Sequence, residues 1–194
     1  MNRFLILAST SPRRRELLAR LGVPFEVVPP RYEEVVEPHE PAEQQAVRFA
    51  LGKARSIARP DAVVIGSDTL VVVDHQILGK PVDRTDAERM LTLLQGRAHR
   101  VVTAVALVAP GCSDQVIVDT AWVHMRSASP EEIQAYVETG EPMDKAGAYA
   151  AQGLGARFID KIDGDATTVI GLPLLKLAAA LRQMGISPSV DAAR

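Results

Sequence analysis

Short apolar runs alternate along this chain with segments whose apolar residues recur every three or four positions, the pattern of strands interleaved with amphipathic helices. Phe4 to Ala8 is an apolar run of strand length, broken by Ser9-Thr10-Ser11. Ser11-Pro12 predicts a helix start, with serine as N-cap and proline at the first helical position. Leu17, Leu18 and Leu21 give that helix an apolar face, and Gly22 predicts its end. Phe25 to Val28 reads as a second strand closed by Pro29-Pro30. A long helix is predicted from Ala42 to Ala58, with Val47, Ala50, Ala54 and Ile57 facing inward. Ala62-Val63-Val64-Ile65 is wholly apolar and ends at Gly66, as a buried central strand would.

Leu70 to Val73 and Gln76 to Leu78 flank Asp74-His75 and predict a hairpin. Thr85 with Glu88 forms a capping box for a helix ending at Gly96. Two long strands follow, Arg100 to Val108 and Val116 to Met125, joined by a turn from Pro110 to Asp114. Ser129-Pro130-Glu131-Glu132 opens another helix that stops at Gly140. Ala146 to Gly155 reads as a glycine-rich loop, Phe158-Ile159 and Val169-Ile170 as strands, and Pro173 begins a last helix to about Met184. Adjacent strand pairs mid-chain predict an α/β fold with a mixed sheet rather than a plain doubly wound one. No repeat or internal linker interrupts the chain, so residues 1–186 are expected to form one domain and 187–194 a loose tail.

Composition narrows the class. An apolar fraction of 47% beside 24% charged residues, over 194 residues, supports a sizeable core rather than disorder. Net charge is −2, which argues against a protein that coats nucleic acid, because such binding leans on a basic excess. No stretch approaches the roughly 20 apolar residues of a membrane span, and Met1 to Ala8 is too short for a secretory segment, so a cytoplasmic protein is expected. One cysteine, Cys112, excludes an internal disulfide and a thiolate metal cage, and four scattered histidines argue against a His-rich transition-metal site.

Candidate chemistry concentrates in a few segments. Arg13, Arg14 and Arg15 sit in the first turn of the helix after Ser11, where the helix dipole disfavours cations by about 0.3–1 kcal/mol each. A bound anion removes that conflict, with backbone N–H groups, Ser9, Ser11 and a guanidinium as its donors. The plainer alternative is that the arginines splay into water near Glu16. Gly66-Ser67-Asp68-Thr69 follows the buried strand, where an aspartate can hold a hard cation or take a proton from water, or cap its own turn. Glu33-Glu34 offers two carboxylates, of which an extended backbone turns only one toward a given site. Lys53 on the long helix and Lys80 in Gly79-Lys80-Pro81 are candidate phosphate clamps. Asp144-Lys145-Ala146-Gly147-Ala148-Tyr149 and Ala151-Gln152-Gly153 suit contact with a base or sugar edge. Neither phosphate-loop fingerprint is present, nor a serine-hydrolase elbow. The residues alone thus point to a phosphate-binding α/β domain with carboxylates for a divalent cation.

At these same segments the chain resembles the Maf family of nucleoside triphosphate pyrophosphatases. Leu7 to Leu18, with its Ser-Thr-Ser-Pro-Arg-Arg-Arg-Glu core, is similar to the family's opening signature. Gly66-Ser67-Asp68-Thr69, Gly79-Lys80-Pro81, Asp144 to Tyr149 with Gln152-Gly153, and Gly171-Leu172-Pro173-Leu174 match the rest in order, so the resemblance runs from Leu5 to about Leu181. It implies a fold related to inosine-triphosphate pyrophosphatases, two lobes around a deep cleft, and hydrolysis of a nucleoside triphosphate to the monophosphate and pyrophosphate. A divalent metal, Mg2+ or Mn2+, is implied as cofactor and a homodimer as a common state.

By motif position, Asp68 would be the proton acceptor that activates water, and Glu34 rather than Glu33 would hold the metal with Asp68. Ser9, Arg14, Lys53 and Lys80 would grip the phosphates. Arg13, Thr69 and Gln152 agree with the branch acting on dTTP and UTP, in a house-cleaning role, rather than with the 7-methyl-GTP branch. One departure is Leu51-Gly52-Lys53, where relatives commonly carry a glutamate before the lysine. A nucleotide- or DNA-binding regulator of cell division is the competing class, separated from the enzyme by assaying pyrophosphate release.

Overall fold

The apolar runs read from the sequence lie wholly or partly in strands, Phe25 and Phe158 falling just outside β2 and β7, except Val169-Ile170. The computed structural model describes residues 4–37 and 39–187. Its elements begin β1 (Phe4–Ala8), α1 (Pro12–Ala19), β2 (Glu26–Val28), α2 (Ala42–Arg55), β3 (Ala62–Val73), β4 (Gln76–Leu78) and α3 (Arg84–Leu94). They continue β5 (Ala98–Val108), β6 (Gln115–Met125), α4 (Pro130–Glu138), β7 (Ile159–Asp163), α5 (Ala166–Ile170) and α6 (Leu174–Gln183). Short 3-10 turns occupy Glu141–Asp144, Ala146–Ala148 and Leu154–Phe158. Among the described residues the strand order is β2-β1-β3-β5-β6-β7, with β4 beside β3. The tail expected over 187–194 lies, beyond Ser187, outside the described residues. No helix among them is long and apolar enough to cross a membrane.

The chain divides into two compact units. Of the described residues, the first takes those up to Asp68, Thr103–Asp119 and 171–187; the second takes Thr69–Val102 and Thr120–Ile170.

In the first unit β1 pairs in parallel with both β2 and β3, matching Leu7 with Val27 on one side and with Ile65 on the other. A strand hydrogen-bonded on both edges and covered on both faces reads as a continuous apolar run, and Leu5, Ile6, Leu7 and Ala8 are all buried. Ser11 caps α1 as expected, its side chain accepting from the Arg14 N–H. The long helix stops at Arg55, and its inward face is Ala42, Gln45, Ala46, Phe49, Ala50, Lys53 and Ala54. Val47 is only half-buried and Ile57 lies past the helix end, a displacement of the apolar stripe by one position.

Gly66 does not end its strand. β3 runs on as one 12-residue strand through Gly66, Ser67 and Asp68. A methyl group at Gly66 would lie 2.1 Å from the Ala50 carbonyl oxygen and 2.7 Å from the Ala54 nitrogen. The glycine is there for close helix-on-strand contact, not as a breaker.

In the second unit β3 and β4 form the expected antiparallel hairpin, Val71 opposite Leu78 and Val73 opposite Gln76. Asp74 and His75 both take positive φ, 47° and 65°, the conformation a two-residue hairpin turn requires. Val71, Leu78, Leu94, Val123, Tyr136 and Phe158 belong to one buried cluster that forms this unit's core. The α3 cap is Asp83, not Thr85: the Asp83 carboxylate accepts from the Asp86 N–H at 2.8 Å and starts the helix two residues early. Ser129 opens α4 as expected and makes a capping box with Glu132. β7 pairs antiparallel with β6, so the sheet is mixed as expected. Val169 and Ile170 are helical rather than extended. Asp165 accepts from both the backbone N–H and the hydroxyl of Thr167, at 2.8 and 2.7 Å, and this cap outweighs their β-branched preference for strand.

Candidate active site

The opening Ser-Thr-Ser-Pro-Arg segment is organised from its own side chains. Ser9, itself buried, accepts from the Ser11 N–H at 3.1 Å, and Ser11 accepts from the Arg14 N–H at 3.4 Å. The first turn of α1 holds no acidic residue to offset its arginines. These three cations separate by environment: Arg15 is exposed, while Arg13 and Arg14 are half-buried. Arg14 turns inward, and its Nε donates to the Gly171 carbonyl at 3.1 Å. The buried Ser67 hydroxyl donates to the same oxygen at 2.9 Å. Loss of solvent holds the Arg14 guanidinium below its ordinary pKa, although the fields of Asp68 and Glu34 work the other way.

Asp68 stands at the centre of the first unit's polar residues. It lies inside β3 rather than beyond the carboxyl end, and it is only 6% exposed. Lys53 reaches it from α2: Nζ is 2.6 Å from Asp68 Oδ1, 2.7 Å from Glu34 Oε1, and donates to the Ser67 carbonyl at 3.3 Å. One ammonium thus ties two carboxylates and a strand backbone together. Burial pushes the Asp68 carboxyl above the usual aspartate range, against the opposing pull of Lys53 and Arg14. Oδ2 is buried and has no hydrogen-bond partner among the described residues. An orphaned carboxylate oxygen is costly, so a site that keeps one reserves it for something that arrives.

Of the two adjacent glutamates, Glu34 is the one that meets Lys53. The departure at Gly52 has a local cause. A methyl group there would lie 2.2 Å from Tyr32 Cε2, so the glycine makes room for the Tyr32 ring, which packs edge-on to Phe49. Nothing in the local sequence assigns Ser67 or Gly171 a role of its own. The signal was present in their motifs, yet a serine donating to a carbonyl 104 residues away leaves no mark in spacing.

Thr69, Lys80 and Gln152 belong to the second unit. Lys80 is exposed, and the Gly-Lys-Pro loop that carries it is anchored by the Gly147 N–H donating to the Gly79 carbonyl at 3.0 Å. Gln152 is half-buried in the turn before Gly153. His99 and Tyr149 form a buried pair in this unit, His99 Nε2 lying 2.8 Å from the Tyr149 hydroxyl.

Among the described residues no three His, Cys, Asp or Glu side chains gather into a metal cage. The carboxylate oxygens of the first unit's cluster come from Asp68 and Glu34. Two carboxylates fit a small hard cation of the Mg2+ class, which draws its other ligands from water and phosphate. They do not fit a structural site of four protein ligands.

Known proteins resemble this chain over nearly its whole length. A family model described as Maf-like protein matches residues 4–184. The dTTP/UTP pyrophosphatase of Symbiobacterium thermophilum is 52% identical, the alignment covering 93% of this chain and 94% of the relative. That of Moorella thermoacetica is 49% identical over 94% and 95%. The Staphylococcus aureus Ham1 protein shares the fold at a TM-score of 0.50 and 14% identity, over 93% of this chain and 98% of that one. With near-complete coverage at about half identity, this chain belongs to the Maf family.

Proposed function

We propose that this protein hydrolyses dTTP and UTP to the nucleoside monophosphate and pyrophosphate, with Asp68 as the group that readies water. The observation that carries the reading is Asp68 itself: one oxygen fixed by Lys53 at 2.6 Å, the other buried and unpartnered among the described residues. Two relatives named dTTP/UTP pyrophosphatase, at 49% and 52% identity, support the substrate class.

The reaction joins a water oxygen to the α-phosphorus and breaks the bond from that phosphorus to the α–β bridging oxygen. The bridging oxygen keeps the electron pair and leaves with pyrophosphate. Asp68 orients the water and takes its proton, and a carboxyl raised by burial is a better base than one in water. Lys53 keeps Asp68 oriented while offsetting the charge of Glu34. Ser9, Arg14, Lys53 and Lys80 are the phosphate-binding groups, cations and hydroxyls suited to a polyanion. Arg13, Thr69 and Gln152 carry the preference for thymine and uracil. A divalent cation, Mg2+ or Mn2+, would be held by Asp68 and Glu34 and would neutralise charge on the departing pyrophosphate.

The test is pyrophosphate release from UTP, dTTP and GTP in a divalent salt, for the wild-type protein and Asp68→Asn. Turnover on the two pyrimidine nucleotides should exceed that on GTP, and the variant should lose about a thousandfold in kcat with its fold intact. Near-normal turnover by a folded Asp68→Asn protein overturns the role of this carboxylate.

A further inference from the structure

The loop that carries Gln152 is held on both sides by two residues that the reaction does not use. Tyr136, on α4 and buried, accepts from the Ala150 N–H at 3.1 Å and donates its own hydroxyl proton to Glu141 Oε2 at 2.8 Å. The Glu141 carboxylate then accepts from the Leu154 N–H at 3.0 Å and the Gly155 N–H at 2.9 Å. The tethers therefore fall at 150, 154 and 155, before and after Gln152. All these residues lie within the second unit.

The backbone is shaped around this pair. Gly153 has φ of 115°, and a methyl group on it would lie 2.3 Å from Glu141 Oε1. A methyl group on Gly155 would lie 2.5 Å from the Tyr136 hydroxyl. Two glycines thus let the loop approach a carboxylate and a phenol closely. Glu141 is itself fixed, since its N–H donates to the Thr139 hydroxyl at 3.2 Å and its carbonyl accepts from Lys145 Nζ at 2.6 Å. Burial raises the Glu141 carboxyl, but the Leu154 N–H, the Tyr136 hydroxyl and the Gly155 N–H outweigh it and leave the group below its usual range.

We infer that Glu141 and Tyr136 are positioning residues for nucleobase selection, holding the 150–155 loop so that Gln152 is presented in one place. The inference rests on the reading of Gln152 as a pyrimidine-selecting residue. A recognition amide discriminates only when its position is set in advance, because a mobile side chain spends binding energy on its own ordering. Removing the tethers should therefore cost selectivity and KM while sparing turnover.

The experiment compares Gln152→Ala, Glu141→Gln, Tyr136→Phe and the double variant Glu141→Gln/Gln152→Ala, each assayed for kcat and KM on UTP and GTP. Backbone amide exchange at 150, 154 and 155 is followed in parallel. Glu141→Gln keeps the shape but replaces one acceptor oxygen with an NH2 group facing backbone donors. Its preference for UTP over GTP should fall by about tenfold, mainly through KM, with the three amides losing protection. The double variant should be no less selective than Gln152→Ala alone, since both changes remove one function. Tyr136→Phe loses a single hydroxyl, so a smaller shift in the same direction is expected and stands in should Glu141→Gln fail to fold. Selectivity unchanged in Glu141→Gln and Tyr136→Phe, while Gln152→Ala loses it, overturns the positioning role and leaves the Gln152 reading intact. Selectivity unchanged in Gln152→Ala overturns that reading and the inference with it.

Discussion

Lys53 Nζ sits 2.6 Å from Asp68 Oδ1, and both side chains are more than nine-tenths buried. An ammonium bridging Asp68 to the half-exposed Glu34 keeps the inner carboxylate oriented while solvent reaches the outer one. Burial alone would push Asp68 toward its neutral form; Lys53 is the leading opposing influence, with Arg14 next. The ionisation state of the proposed base is thus a balance between a strand interior and a helix lysine.

That balance can be tipped. Lys53→Met removes the favourable field, so the Asp68 carboxyl rises further and the acid limb of kcat/KM moves to higher pH. Lys53→Arg keeps the charge and should hold the limb near its wild-type place. The methionine variant also strands a buried carboxylate, at a cost of about 3–5 kcal/mol in stability. A pH–rate series with both variants checks the point; coincident acid limbs in wild type and Lys53→Met would rule the coupling out.

Ser67 and Arg14 share one acceptor, the Gly171 carbonyl. Ser67→Ala leaves Arg14 as the remaining donor of the two and costs about 1 kcal/mol. With the guanidinium less firmly placed, KM for UTP should rise several-fold while kcat changes little. Steady-state kinetics on the folded variant decide it.

Gly66→Ala is expected to be severe. The added methyl meets the backbone of α2, at Ala50 O and Ala54 N, and backbone cannot rotate aside. Overpacking of this kind should cost about 3 kcal/mol or more, roughly 6–12 °C in Tm. Thermal unfolding followed by circular dichroism gives the answer, with Gly79→Ala, where a methyl group meets nothing within 4 Å, as the benign control.

His99 predicts a stability loss in mild acid. Burial, with lesser repulsion from His124 and Arg97, pushes its imidazole down to about 4. In the unfolded chain it titrates near about 6.5, so between those values the unfolded chain binds a proton that the folded one refuses. The contribution is complete above about pH 6.5 and declines as pH falls toward about 4, by up to about 3 kcal/mol. Urea midpoints at about pH 7 and about pH 5 should differ less in His99→Phe than in wild type. Equal losses in the two proteins would assign the acid sensitivity to another group.

How much could be read in advance depends on the range of the forces involved. The α1 and α4 caps, the Asp74-His75 hairpin and the apolar strands follow from local backbone chemistry, and each is visible in a window of a few residues. The same local reasoning misplaced the α3 cap, because Asp83 and Thr85 both offer a side-chain acceptor and only the backbone conformation at Asp83 chooses between them. Asp68, Lys53, Glu34 and Arg14 stand out by residue type and local context, and the order of the motifs points to the family.

What no window contains is the meeting of residues far apart along the chain. Gly66 reads as a stop until α2 packs against it, and Gly52 as a weakness until Tyr32 fills its space. The convergence of Arg14 and Ser67 on Gly171, and of three backbone N–H groups on the Tyr136–Glu141 pair, joins segments that spacing cannot relate. Residue type and local propensity determined which groups could act here. Packing decided which of them lose solvent, and with it the charge, orientation and free valence that make Asp68 a candidate base.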